Sequence, residues 1–247
     1  MRTAVIALVA ALAFGPARAA AQEKDKDGFV PLFNGKDFAG WKVPEGDNGH
    51  WKVVDGVIDY DALSEAKDKH LFTEKEFGDF VLRVDWRIKE TPFTNPNVYD
   101  ILPDGSHKLG PDGKPIKMAL PDSDSGIYTR RRDGKSQVNI WCWPVGSGEV
   151  YGYRMDPKMP PEVRAGVTPK KKADKPIGEW NSFEITLKGN VLTVVLNGEK
   201  VIENATLPDM PAKGPLGLQH HGGKNKEGKW SGPPSLVQFR NIKIKEL

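Results

Sequence analysis

The segment Val81 to Lys89 sets Leu82, Val84, Trp86 and Ile88 at one parity and Arg83, Asp85 and Arg87 at the other. Side chains alternate across a β-strand, so this is a strand with one buried and one polar face, as antiparallel sheets require. The same split recurs along the chain. Ser125 to Arg131 sets Ile127 against Gly126, Tyr128 and Arg130, and Gln137 to Trp143 sets Val138, Ile140 and Cys142 against Gln137, Asn139, Trp141 and Trp143. Trp180 to Leu187 turns Asn181, Phe183, Ile185 and Leu187 inward, and Asn197-Gly198 is a type I′ turn signal, as is Asp55-Gly56 for a hairpin. Leu216, Leu218 and His220 oppose Gly217, Gln219 and His221. Amphipathic helices of ordinary length are missing; the best short candidate is Thr73 to Phe77, where Thr73 caps and Glu76 sits at capping-box spacing. About ten to twelve short strands with little helix imply an all-β fold, a two-layer sandwich or jelly roll.

The first residues read differently. Met1-Arg2 is a basic start, Ala4 to Phe14 an apolar run too short to span a bilayer, and Ala17-Arg18-Ala19 a small-x-small cleavage pattern. This predicts a signal segment over 1–21, a flexible polar tether over 22–28 and one domain over 29–247. The protein is then periplasmic or secreted, with no membrane span once the signal is removed. Thr91 to Pro121 and Val145 to Pro176 are long irregular stretches, a kind that is often functional. Cys142 is the one cysteine, so no intramolecular disulfide forms, and its parity with Val138 and Ile140 makes it a core residue. The net charge of +3 is spread out apart from Arg130-Arg131-Arg132 and a lysine triplet, Lys170 to Lys172, flanked by Pro169 and Pro176. Nucleic-acid binding needs such charge on a regular element with stacking aromatics, and is not expected.

An ordered set of short motifs adds a resemblance: Leu32-Phe33-Asn34-Gly35-Lys36-Asp37 with Gly40-Trp41, Asp85-Trp86-Arg87, Asp124-Ser125-Gly126-Ile127-Tyr128, Gly178-Glu179-Trp180-Asn181, Leu196-Asn197-Gly198, Gly214 to Gln219 with His221-Gly222, and Phe239-Arg240-Asn241-Ile242. Over essentially the whole mature chain the set resembles the DUF1080 family, also called the 3-keto-disaccharide hydrolase domain. The resemblance implies a concanavalin-like or LamG-like jelly-roll sandwich of two antiparallel sheets, export, and cleavage of 3-keto-glycosides. Where relatives tend to carry glutamate then glutamine, this chain has the uncharged Gln137 and Asn139.

A ketone at C3 acidifies the C2 hydrogen, so a glycosidic bond at C1 can leave by β-elimination, and addition of water then gives net hydrolysis. That chemistry needs a base, an acid for the leaving oxygen and donors for an enediolate. His221 suits the base or acid, Arg87 the oxyanion role, and Asp85 or Asp124 an alternative base or orienter. Gln219, Asn139, Gln137, Tyr128 and Arg130 are candidate sugar contacts, and Trp141 or Trp143 a stacking platform for a pyranose. Plainer alternatives stand beside these: Asp85 with Arg87 as a cross-strand ion pair, Asp124 as a turn cap, Trp180 and Asn181 as structural residues. Asp85 and Asp124 would also serve a conventional two-carboxylate glycosidase if adjacent. No cofactor is assigned; there is no local His-x-x-x-His or Cys-x-x-Cys spacing, although Asp85, Asp124 and His221 gathered in space would be a ligand set for a divalent metal. The expected partner is an oligosaccharide or glycoside. The rival function is a non-catalytic, lectin-like carbohydrate-binding domain of a surface assembly, for which tryptophans and amides on a concave face suffice.

Overall fold

The alternating segments become short strands in the computed structural model, which describes residues 24–247. In chain order they are β1 (Val30–Pro31), β2 (Trp41–Lys42), β3 (Trp51–Val54), β4 (Val57–Tyr60), β5 (Leu71–Phe77) and β6 (Phe80–Ile88). There follow β7 (Phe93–Tyr99), β8 (Lys117–Asp122), β9 (Asp124–Thr129) and β10 (Gln137–Trp141), then the short helices α1 (Tyr151–Arg154) and α2 (Pro161–Gly166). The chain ends with β11 (Asn181–Lys188), β12 (Val191–Leu196), β13 (Glu199–Thr206), β14 (Gly214–Leu218) and β15 (Val237–Glu246). The predicted signal segment, 1–21, lies outside the described residues, as do the first two tether residues. In the rest of the tether, Asp25 accepts hydrogen bonds from the Phe29 backbone N–H at 2.9 Å and from Lys243 Nζ at 2.7 Å, which pins a turn to β15.

Two antiparallel sheets face each other in a jelly-roll sandwich. The large one runs β13-β12-β11-β6-β15-β4-β3 with β1 beside β15, and the small one runs β10-β9-β14-β5-β2. Leu82, Val84, Trp86 and Ile88 from β6 meet Ile127, Val138, Ile140, Leu216 and Leu218 from the small sheet in one apolar core. Burial of this face is what drives the layers together, at ~25 cal/mol per Å² of apolar surface. Both predicted hairpin turns form with positive φ at each central residue, Asp55-Gly56 at 50° and 77° and Asn197-Gly198 at 53° and 85°.

Three segments differ from expectation. Thr73 to Phe77 is strand rather than helix: Thr73 Oγ1 accepts the Leu216 backbone N–H at 3.0 Å, and Leu71 and Phe77 are buried in the core. Sheet pairing and burial outweigh a capping pattern whose propensity is worth little over five residues. Thr91 to Pro121 is largely a β7–β8 hairpin, with Phe93 opposite Asp122 and Val98 opposite Met118. It buries Val98 and Ile101 against Trp141 and Trp143 in a second small core, so its apolar residues serve a patch and not a sheet face. Cys142 packs at the border of the core, partly accessible, and burial pushes its thiol up to about 12.

Among the described residues no helix is long and apolar enough to cross a membrane.

Candidate active site

The outer face of β9 and β10 in the small sheet is not open to water. Strands β9 and β10 pair with Gln137 opposite Tyr128, Asn139 opposite Gly126 and Trp141 opposite Asp124, and directly opposed residues share a face. A Cβ at Gly126 would lie 2.3 Å from Gln137 Nε2, so only glycine there lets the Gln137 amide lie across the neighbouring strand. From that position Gln137 Nε2 donates to Gln219 Oε1 at 2.6 Å, and also to Asn139 Oδ1. Both amides therefore present their oxygens to Gln137, and Asn139 Nδ2 has no acceptor among the described residues.

His221 arrives from the loop after β14. Its backbone N–H donates to Ser235 Oγ, and Ser235 N–H returns a bond to His221 O at 3.0 Å. Gly222, at φ +72°, has its Cβ direction 2.6 Å from Pro233 O, so the turn tolerates no side chain. His221 Nδ1 lies 2.7 Å from Pro233 O. A carbonyl only accepts, so Nδ1 carries the hydrogen, and in the neutral ring the lone pair is on Nε2.

Asp124, Gln137, Asn139, Gln219 and His221 line one cleft of ≈ 270 Å³, walled by Asn95, Trp143 and Tyr151 from the long loops. Asp124 is partly accessible from the cleft, yet burial pushes its carboxyl up to about 7 against the pull of His221, with Asp122 adding repulsion. Asp122 is fully buried and accepts from Asn95 Nδ2 at 2.8 Å and from Trp143 Nε1 at 3.0 Å. Burial raises its pKa too. Asn139 N–H donates to Glu149 O at 2.8 Å, and the buried Glu149 pairs with Arg154, which tethers the second long loop to β10.

Several candidates stand elsewhere. Asp85 and Arg87 lie on the outer face of the large sheet, across the core from the cleft. Asp85 accepts from Asn241 Nδ2 at 2.7 Å and Arg87 Nε donates to Gln238 Oε1 at 2.6 Å, so each pairs with β15 instead of with the other. Strand β6 belongs to the other layer, so its polar parity faces away from β9 and β10. Neither an Asp85–Asp124 carboxylate pair nor an Asp85–Asp124–His221 ligand set is assembled. Among the described residues no three His, Cys, Asp or Glu side chains converge as a metal site.

Arg130 leaves strand geometry at φ 58° and turns inward. It donates to Gly78 O at 2.8 Å, Gly189 O at 2.7 Å and the Asp79 carboxylate at 2.8 Å, a buried clamp on neighbouring loops and no sugar contact. Tyr128 is buried beside Gln137, its hydroxyl 3.3 Å from His70 Nε2. Trp141 and Trp143 line the cleft but stack on each other at 4.2 Å and are 3% and 8% exposed, so their faces are not free for a pyranose. Tyr151 is 43% exposed and offers the accessible ring. Asn181 Oδ1 accepts from Lys175 N at 2.9 Å and Asn197 Nδ2 at 2.8 Å, a structural role.

Asn95, Asp122 and Tyr151 were not singled out in the sequence. The usable signal was the placement of chemically able residues in two long loops around a polar sheet face.

A family model described as "3-keto-alpha-glucoside-1,2-lyase-like domain" matches residues 28–245. A curated protein of Bacteroides thetaiotaomicron named 3-keto-disaccharide hydrolase is 26% identical over 90% of this chain and 80% of its own. Two solved structures from Parabacteroides distasonis, provisionally assigned as glycosyl hydrolases, share the fold. One is 22% identical with a TM-score of 0.57 over 89% of this chain and 84% of that one. The other is 21% identical with a TM-score of 0.54 over 90% and 95%. With the match spanning nearly all the described residues, the chain belongs to the 3-keto-alpha-glucoside-1,2-lyase-like domain family.

Proposed function

We propose that this protein is an exported enzyme that cleaves 3-keto-glycosides by β-elimination followed by hydration. The observation that carries the reading is a histidine whose Nδ1 is held by Pro233 O, which makes Nε2 the basic atom of the neutral ring, in the same cleft as Asp124, a carboxyl pushed up to about 7. His221 Nε2 takes the proton from C2, and the electron pair forms the C1=C2 bond as the C1–O bond breaks. Asp124, part protonated near neutrality, gives its proton to the leaving oxygen. Water then adds at C1 of the enone while a proton returns to C2, which completes net hydrolysis. The enediolate meets an amide donor, Asn139 Nδ2, in place of an arginine. At ≈ 270 Å³ the cleft is smaller than the ~300–1,000 Å³ of drug-sized sites, a fit for one sugar ring.

The rival, a lectin-like domain, wants exposed aromatic faces. The buried Trp141–Trp143 stack does not supply them. Export rests on the signal-like 1–21 segment.

The test is incubation of residues 22–247 with 3-keto-trehalose and methyl 3-keto-β-glucoside, in deuterated water, following aglycone release and deuterium at C2. Release with C2 exchange, both lost in His221→Ala while circular dichroism is unchanged, is the expected result. Saturable binding of unoxidised glucan without release would instead favour the lectin.

A further inference from the structure

The face that carries the cleft does not stop at β9. Cross-strand register continues from Gln137 to Tyr128, from Tyr128 to Gly217, from Gly217 to Phe72 and from Phe72 to Lys42, one row across all five strands. Gly217 has no side chain, and the Phe72 ring fills its place, 2.4 Å from where a Cβ would stand. The Tyr128 ring lies 5.4 Å from Phe72 and 4.9 Å from His70, so packed aromatic rings, Tyr128 and Phe72 themselves buried, span the stretch between Gln137 and Lys42. The His220 N–H donates to His70 Nδ1 at 3.1 Å, which leaves the ring hydrogen on Nε2 for the Tyr128 hydroxyl. His70 is thereby fixed between the two ends of the row.

At the far end a second cleft of ≈ 700 Å³ opens, lined by Lys42, Glu45, Lys67, Asp68, His70 and Arg132. Cations outnumber carboxylates there. The Arg132 guanidinium lies 4.3 Å from the Phe72 ring centroid and, like Lys42 and Lys67, has no carboxylate partner among the described residues. Asp68 is engaged locally, accepting the His70 N–H at 3.4 Å. A guanidinium held over an aromatic ring keeps its N–H donors free for an acid group.

The geometry points to the second cleft as the site for the leaving-group half of the substrate, and to that half being an acidic sugar, a uronate whose carboxylate meets Arg132. This inference rests on the keto-glycoside reading for its first cleft, and on register and charge for its second. The larger volume suits a leaving group of a full ring or more.

Two measurements on the mature chain separate the two ideas. In the first, sodium glucuronate and glucose are titrated into wild type and Arg132→Gln, with binding read by NMR. Glucuronate is expected to bind about fivefold more tightly than glucose, an advantage erased in Arg132→Gln and weakened by salt, the size of one exposed charge contact. Equal affinities, or an advantage that survives Arg132→Gln, overturn the inference. In the second, kcat/KM is compared for 3-keto-glucosides whose leaving group is methanol or glucuronate. Arg132→Gln is expected to slow the glucuronate substrate about fivefold and leave the methyl one unchanged. Turnover of the methyl compound with no glucuronate preference overturns the subsite alone. Glucuronate binding through Arg132, with neither compound turned over, overturns the keto-glycoside reading and leaves the uronate site standing.

Discussion

The two sheets each turn a polar face away from the shared core, and the two faces have opposite fates. On β6 the outer residues Arg83, Asp85 and Arg87 are part exposed and paired at the surface, with Arg87 lying over Trp180 at 4.8 Å. On β10 every residue is buried, the outer ones as much as the inner. Hairpin β7–β8 and the loop carrying α1 cover that second face and leave a cleft in it. The difference is written in the residue types. Charged groups alternate where water remains, because stripping their hydration is costly, whereas amides and indoles can satisfy one another under cover. The carboxyls kept under cover, Asp122, Asp124 and Glu149, are the ones pushed upward in pKa.

The sharpest way to break this contrast is at the covered face. Asp124→Asn keeps shape and hydrogen bonding but cannot give up a proton, so kcat/KM on a 3-keto-glucoside is expected to fall by about 10²–10⁴-fold. Steady-state kinetics on a leaving group of low pKa, which needs no acid, should recover much of the loss. A variant with undiminished kcat/KM on both substrates would remove Asp124 from the chemistry.

How much of this was legible follows from the same contrast. Alternation placed β6, β9, β10, β11 and the Gly217–His221 parity correctly, because one face of each is packed in the core. Alternation is blind to which layer a strand joins, so Asp85 and Arg87 looked as eligible as Asp124. Arg130 misled because parity ends where φ turns positive, and nothing in Arg130-Arg131-Arg132 announces that turn. Trp141 and Trp143 were rightly put on the polar face, but their partner is each other and a hairpin whose Pro96, Asn95 and Asn97 hide its strand character. Asn95 and Tyr151 reach the cleft only through that tertiary cover.

A smaller effect should come from Gly126→Ala. Its backbone is not in the left-handed region, so the cost is steric and is concentrated on Gln137 Nε2, 2.3 Å from the new methyl. Denaturant unfolding is expected to show a loss of ~1–3 kcal/mol as the Gln137–Asn139–Gln219 network shifts. If stability and kcat/KM are both unchanged, the amide network is not what shapes the cleft.

The covered carboxyl also gives a pH effect. Asp124 holds its proton more tightly folded, at about 7, than in the unfolded chain, near the ordinary aspartate value of 3.8. The stability this gives is present in full below pH 3.8 and is lost as pH rises through 7. Replacement by asparagine removes that dependence. The Tm of Asp124→Asn minus that of wild type should therefore rise as pH is raised from the acid side of this window to the alkaline side. Glu149, which burial also raises, feels repulsion from the Asp124 carboxylate, so its own loss of stability with rising pH is smaller in Asp124→Asn and adds to the rise in the difference.

The smallest effects are expected on the open face, where they carry the most weight for the comparison. Asp85→Asn loses a surface pairing with Asn241 and a 3.6 Å contact to Arg240, and Arg87→Gln loses its bond to Gln238. Arg87, Gln238 and Asn241 keep access to water, which replaces the lost partner, and Arg240 Nε, which is shielded from water, is left beside the uncharged amide of the new asparagine, so each variant should cost about 1 kcal/mol or less. Their distance from the cleft is set by a whole apolar layer containing Trp86 and Ile127. Activity on a 3-keto-glucoside should then stay within about twofold of wild type, the scatter of changes at exposed sites. A loss in kcat/KM as large as that of Asp124→Asn, with Tm unmoved, would mean that substrate meets the large sheet after all, and that the open face of β6 and β15 does the chemistry the covered cleft has been given.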